Sequence, residues 1–395
     1  MQGSVRLYFR VCLQGFFFWL AYDLSRFPVI PLYAQKLGLP PEAIGFAVAA
    51  STMTGIFGKM ISGALSDSVG RKIMMVIACV VATVLPTLYF LADSASSLIM
   101  IRLFHGLGTA IMGPVGRAFV ADIVPETKRG NWLSTYTSST NLGTMAGRSL
   151  AGFFLYWGGF FYPFAASAVA GLIALGIALR WPDDRRHPFE LRPLLRRMGQ
   201  GFREVGSNLS VLVTSLVEAF QYMAVGVVDA FLPIYAEGVG LLEWQIGLLF
   251  GVQMATTLLL KPFMGHLSDR FGRKPQIILG LIFGGLVLWR IPWETTFFSL
   301  GLLVILFGIA VALTTSATAA LITDLCNREH YGAAHGVFGT ILDVGHATGP
   351  ISAGFLIASI GYRPGFVIYS VLLILASLLF SVLVEVRNGG RQKIE

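Results

Sequence analysis

Long apolar runs, each about the length needed to cross a bilayer, alternate along the chain with short polar breaks. They predict twelve helical segments, near 10–34, 42–66, 73–92, 96–121, 132–157, 160–180, 209–235, 244–267, 275–292, 297–323, 332–359 and 363–385. The densest polar break runs from 182 to 208 and carries Asp183, Asp184, Arg185, Arg186, Arg192, Arg196 and Arg197. Its Leu, Phe and Arg mixture suits either an amphipathic helix on the inner leaflet or a plain charged connector. The first segment is long, carries Asp23 and Arg26 and lacks a small-residue cleavage site, so it reads as a retained helix rather than a signal peptide.

The polar breaks repeat. Gly63-Ala-Leu-Ser-Asp67-Ser-Val-Gly70-Arg71-Lys72 returns 202 residues later as Gly265-His-Leu-Ser-Asp269-Arg-Phe-Gly272-Arg273-Lys274. The same offset carries Pro31, Tyr33, Gly45 and Lys59 onto Pro233, Tyr235, Gly247 and Lys261. Without a gap it then carries Gly106, Asp122, Gly143, Gly147 and Gly152 onto Gly308, Asp324, Gly345, Gly349 and Gly354. A duplicated six-helix unit follows: an N-terminal bundle over 1–181, a cytoplasmic linker over 182–208 and a C-terminal bundle over 209–395.

Composition places this pattern in a membrane. With 55% hydrophobic residues, 13% charged residues and a mean hydropathy of +0.71, the chain is too apolar for a soluble domain of 395 residues. With both termini inside, most Lys and Arg fall in cytoplasmic loops, and Lys36, Arg290 and Arg363 fall in outer ones. That asymmetry accounts for the net charge of +8 without nucleic acid, since no basic soluble face exists. Cys12, Cys79 and Cys326 form neither a disulfide framework nor a metal pattern, so no metal and no cofactor are expected. No phosphate loop, nucleophile elbow or HExxH motif is present, which argues against an enzyme.

The duplicated loops resemble the Gly-x-Leu-x-Asp-x-x-Gly-Arg-Lys motif of the major facilitator superfamily. Arg102-Leu-Phe-His-Gly106-Leu-Gly108 resembles its Arg-x-x-x-Gly-x-Gly motif. The likeness covers essentially the whole chain and implies an all-α membrane fold of two pseudo-symmetric six-helix bundles. It further implies that segments 1, 4, 7 and 10 line a central cavity while 3, 6, 9 and 12 face lipid. Twelve segments match the drug and proton antiporter branch. Related antiporters place an acid on segment 1 and an arginine on segment 4, which implies proton coupling through Asp23 and Arg102. The resemblance also implies a cytoplasmic gate built from Gly63, Asp67, Gly70, Arg71, Lys72 and Asp122, with Gly265, Asp269, Gly272, Arg273, Lys274 and Asp324 as its second copy. Arg71 and Arg273 would pair with Asp122 and Asp324. Ser68 departs from the usual cation, which Arg270 retains.

The offset also serves as an internal control. Asp23, Arg26, Arg102 and His105 have Val225, Val228, Val304 and Phe307 as repeat partners, so the scaffold itself does not need charge there. Asp23 lies roughly 16 Å from either end of its segment at 1.5 Å per residue, too deep to reach water. Burial favours its neutral acid and Arg26 or Arg102 its carboxylate, which is the requirement for proton coupling; a permanent packing ion pair is the alternative. Glu218, Gln221 and Tyr222 share one helical face and suit a cation or a hydroxylated molecule, and Glu218 could also carry a proton. Asp229 lies three turns beyond Glu218, where it either serves the cavity or reaches the outer surface. Arg148 replaces the proline that the resemblance expects on segment 5, and with Arg26 and Arg102 it would suit an anionic group. Its alternative is pairing with a carboxylate of the other half, for which Asp343 and His346, three apart on segment 11, are candidates. The hydroxyls of Thr314, Thr315, Ser316 and Thr318 read as bonds to backbone or a neighbouring helix.

The chain therefore reads as a monomeric, multi-pass secondary transporter of the inner or plasma membrane. Its expected substrate is a small organic molecule and its expected coupling ion the proton, with drug-like or amphipathic export first. Transport of an organic anion held by Arg26, Arg102 and Arg148 comes next, and a non-transporting receptor or scaffold last.

Overall fold

The computed structural model describes residues 2–182, 196, 199–200, 202–203, 205–326 and 331–384. Its helices are α1 (Gln2–Leu24), α2 (Val29–Lys36), α3 (Pro41–Val69), α4 (Arg71–Leu88), α5 (Ala95–Ile123), α6 (Arg129–Gly158) and α7 (Phe161–Ala178), followed by α8 (Leu209–Gly238), α9 (Glu243–Phe271), α10 (Arg273–Arg290), α11 (Phe297–Leu325), α12 (Tyr331–Ile360) and α13 (Tyr362–Leu383). No strand occurs among the described residues. The first predicted segment is two helices rather than one, because Pro28 disfavours helical geometry before it and the chain turns over 25–28. The linker arginines and aspartates at 183–186, Arg192 and Arg197 lie outside the described residues.

Among the described residues nine helices are long and apolar enough to cross a membrane, or ten if the bent α3 counts as one span. Helices α1 and α6 have the length but are too polar to qualify. They pack against one another, and the face of each that carries Asp23 and Gly147 is turned into the contact, where polar groups meet protein.

The 202-residue offset is written into the backbone. Among the described residues the six glycines with positive φ form three pairs at that spacing: Gly38 with Gly240, Gly70 with Gly272, and Gly159 with Gly361. At Gly70 and Gly272, φ values of 103° and 97° let one helix stop and the next begin at once, which a side chain would resist. Caps repeat as well. Ser94 accepts from the Ser97 amide at the start of α5, and Thr296 accepts from the Ser299 amide at the start of α11.

Two seams join the halves, α3 against α12 and α6 against α9. Small residues let the backbones touch there. A Cβ at Gly354 would lie 2.7 Å from the Glu42 Cα, and one at Gly152 would lie 2.6 Å from the Gly247 Cα. The helix ends that carry Pro41 and Glu243 are thereby closed. Nearer the Gly-Arg-Lys loops the seams part, and cavities occupy the space.

Candidate functional site

Gly143 and Gly147 press α6 onto α1: a Cβ at Gly147 would lie 2.9 Å from both the Asp23 Cβ and the Leu20 carbonyl. The next residue, Arg148, is thus delivered beside Asp23. Its Nε lies 3.4 Å from Asp23 Oδ1 and its Nη1 3.3 Å from Asp229 Oδ1, on the other half. A matching approach on the far side brings α12 onto α8, where Gly345 and Gly349 face the backbone at Ala219 and Met223. That places His346 Nε2 3.3 Å from Asp229 Oδ2. Asp23 and Asp229 are 1% and 0% exposed, so the cluster Asp23, Arg148, Asp229 and His346 is a buried charge bridge between halves. Phe27 lies under it, 5.2 Å from the Arg148 guanidinium, and stacks across the interface on Phe250.

This arrangement corrects several expectations. Asp23 pairs with Arg148, not with Arg26 or Arg102. Arg26 instead donates to Thr52 Oγ1 at 3.4 Å and lies 4.5 Å from the Phe27 ring. Arg102 is fully buried among neutral partners. It donates to Ser51 Oγ at 2.5 Å, to the Ala47 carbonyl at 3.3 Å and to the Tyr89 hydroxyl at 3.4 Å. Tyr22 donates to the same Ser51, while the Tyr89 hydroxyl shares a 2.8 Å hydrogen bond with His105 Nδ1. Arg102 and His105 thus belong to a network inside the N-terminal half, shut off from the seam. Asp229 is buried rather than turned to the outer surface. Asp343 does not join Arg148; its Oδ2 lies 2.5 Å from Lys59 Nζ across the α3 and α12 seam.

In the C-terminal half, Thr318 donates to Glu218 Oε2, so one of the helix-α11 hydroxyls serves a carboxylate as well as its own backbone. Gln221 is wholly buried and neither atom of its amide has a partner among the described residues. Tyr222 lines a cavity of about 270 Å³ with Asn141, Arg148, Asp229, Lys261 and His346. A smaller cavity of about 90 Å³ lies on the other seam beside Arg26, Lys59, Asp343 and His346. Lys59 and Lys261 are the functional candidates that sequence reasoning missed. A lysine deep in a membrane segment is itself a signal, but both halves carry it, and the comparison between halves passed over what they share.

At the other end of the helices, Arg71 pairs with Asp122 and with Asp67 at 3.0 Å, and Arg273 pairs with Asp324 at 2.9 Å and with Asp269 at 2.5 Å. Ser66 and Ser268 accept a further bond from each arginine. Gly63 and Gly265 lie on the last turns of α3 and α9 ahead of these pairs. Lys274 donates to the Val384 carbonyl at 2.7 Å. Lys72 begins α4 beside Arg71.

A duplicated helical frame with apolar spans, a charge bridge joining its halves and a cavity on each seam is the architecture of a membrane transporter. The sequence profile of the Major Facilitator Superfamily matches residues 11–241 and 214–394, and the chain belongs to that family as an integral plasma-membrane protein. It resembles the multidrug resistance protein MdtG of Citrobacter koseri, 25% identical over 350 residues (86% of this chain, 85% of that protein). It also resembles the multi-drug resistance efflux pump PmrA homolog of Lactococcus lactis, 24% identical over 349 residues (86% and 85%). The fold matches that of the nucleoside transporter NupG, with a TM-score of 0.80 at 11% identity (96% of this chain, 100% of that one). The inward open form of the xylose transporter XylE from E. coli gives a TM-score of 0.74 at 17% identity (98% of both chains).

Proposed function

We propose that this protein exports drug-like or amphipathic compounds by proton-coupled alternating access. It would do so as a monomer of twelve spans with both termini cytoplasmic, 1–181 and 209–395 forming the two bundles and 182–208 the connector. The observation that carries the reading is one guanidinium shared by two buried carboxylates on opposite halves. Arg148 and Asp23 travel together on the N-terminal half, whereas Asp229 and His346 travel on the C-terminal half. A proton on Asp229 removes the charge that ties the halves and leaves Arg148 to Asp23. Loss of that proton restores the tie. With the Gly-Arg-Lys loops on the cytoplasmic side, the cavities open inward and the ends at Pro41 and Glu243 are closed outward. Rocking of the halves about the bridge would then exchange access, with Arg71, Asp122, Arg273 and Asp324 bracing the inner ends. The relatives named for multidrug efflux support the substrate class. An anion carrier built on Arg26, Arg102 and Arg148 is less well supported, since Arg102 is enclosed and Arg148 is neutralised by two acids.

Flux measured in proteoliposomes tests this reading. Efflux of a lipophilic dye is expected to follow an imposed pH gradient and to lose that dependence in Asp229→Asn and Asp23→Asn. Flux that ignores the gradient in the unmodified protein would overturn it.

A further inference from the structure

The two seams are lined in part by residues at equivalent places, and at one of those places a carboxylate on the first seam is replaced by a neutral amide on the second. Lys59 and Lys261 correspond, as do Thr109 and Val311, and each pair lines its own cavity. On the first seam Lys59 meets Asp343 at 2.5 Å. At the place equivalent to Asp343, the second seam presents Asn141, a neutral amide of the same shape. Lys261 therefore stands on the wall of its cavity with no ion pair among the described residues. Arg148 on the same wall is already matched by Asp23 and Asp229. Glu218 lies within electrostatic reach of Lys261 but sits behind the cavity wall, where Thr318 donates to it.

Two further observations point to a ligand. The cavity with the internal ion pair has about 90 Å³, and the one without it has about 270 Å³. Gln253 lines the larger cavity, is 6% exposed, and its Oε1 has no hydrogen-bond partner among the described residues. Met254, Leu258 and Val311 supply apolar wall beside these polar groups.

We propose that the α6 and α9 cavity is a binding subsite for the carboxylate of an amphipathic organic anion, with Lys261 as its counter-ion and Gln253 as a hydrogen-bonding partner. The substrate's carboxylate takes the place that Asp343 holds on the opposite seam. Its apolar body lies against Met254, Leu258 and Val311. This narrows the substrate class of the transport reading above and rests on it for its physiological meaning, whereas binding itself can be measured without transport.

The test is equilibrium binding of 2-naphthoate and its neutral analogue 2-naphthamide to the purified protein in nanodiscs, followed by tryptophan fluorescence or calorimetry. A charge-assisted contact predicts naphthoate affinity about tenfold or more above that of the amide. Lys261→Gln should abolish that preference and Lys261→Arg should keep it. Asn141→Asp, which installs the missing carboxylate, should compete with naphthoate and remove the preference for the acid over naphthamide. Thermal unfolding identifies any variant that fails to fold, and the intact protein's own preference for acid over amide decides the matter independently of every variant. Equal affinity for acid and amide, or a Lys261→Gln protein that still prefers the acid, overturns the proposal. Acid-selective binding without pH-driven flux would leave the subsite standing and reject the coupling reading instead.

Discussion

Helices α6 and α12 stand at equivalent places in the two halves, yet they join their seams by different means. After Gly349, α12 carries Pro350, whose carbonyl and ring meet Gly45 of α3 and Gly226 of α8; a Cβ at Gly226 would lie 2.8 Å from Pro350 Cδ. After Gly147, α6 carries Arg148 and reaches α8 by charge. A contact made by shape has the same strength whatever the proton concentration, while one made between a guanidinium and a carboxylate ends when the acid is neutralised. Both seams also carry the other kind of contact, Gly152 on Gly247 beside α6 and Lys59 with Asp343 beside α12, so the difference lies at this one position, and under the proposed function proton dependence belongs to Arg148.

The largest expected effect tests that assignment directly. Arg148→Ala leaves Asp23 buried without its ion-pair partner and Asp229 with only the His346 imidazole, and loss of one member of a buried ionic group costs about 3–5 kcal/mol. A pronounced fall in the thermal midpoint in detergent should accompany loss of flux. The triple change Asp23→Asn, Arg148→Met, Asp229→Asn should recover the midpoint without recovering pH-driven transport. An Arg148→Ala protein with normal stability and coupling would break the comparison.

On the α3 and α12 seam the expected effect is smaller. A Cβ at Gly45 would meet the Pro350 backbone, within 2.8 Å of its carbonyl carbon, so Gly45→Ala must push the seam apart, a strain of about 1–3 kcal/mol. Gly176→Ala, in open space, should be silent. Flux should fall in the first variant while its response to a pH gradient survives. If Gly45→Ala instead removed the pH dependence, packing on this seam would itself belong to the coupling.

Much of this frame was legible because duplication marks itself with glycine: the loop repeats at 63–72 and 265–274 set the offset, and Gly70 and Gly272 end helices for a reason visible in their type. Candidate charges were also legible one by one, since Asp23, Arg148 and Asp229 are each costly in an apolar helix. Their pairing was legible only in part: a carboxylate of the other half was one of the two readings for Arg148, but not that it is Asp229 or that Asp23 shares the same guanidinium. Helical spacing suggested Arg26 for Asp23, but the partner lies on α6, brought there by Gly147, and contact between helices is not encoded in spacing along one of them. Lys59 and Lys261 were hidden for the opposite reason. They agree between halves, and what distinguishes them, Asp343 against Asn141, sits on helices remote in sequence.

The duplicated loops supply the smallest effect on stability. Both Arg71 and Arg273 pair with carboxylates that are about half exposed, Asp122 at 53% and Asp324 at 52%, and exposed pairs contribute about 0.2–1 kcal/mol. Neither Arg71→Ala nor Arg273→Ala should therefore move the thermal midpoint appreciably. Their equivalence in geometry extends to a third partner, since Ser66 and Ser268 accept from the two arginines at 3.1 Å and 2.6 Å. The loops differ at one position, Ser68 against Arg270. Ser68 Oγ donates to the Leu65 carbonyl of its own helix, whereas Arg270 adds a cation beside the network of the second loop. Installing that cation with Ser68→Arg should make the first loop tolerate Arg71→Ala better, read as flux in the double variant relative to the single one. If the two alanine variants lose flux equally and Ser68→Arg changes neither, the halves are braced alike at this end. Their functional asymmetry is then confined to the seams.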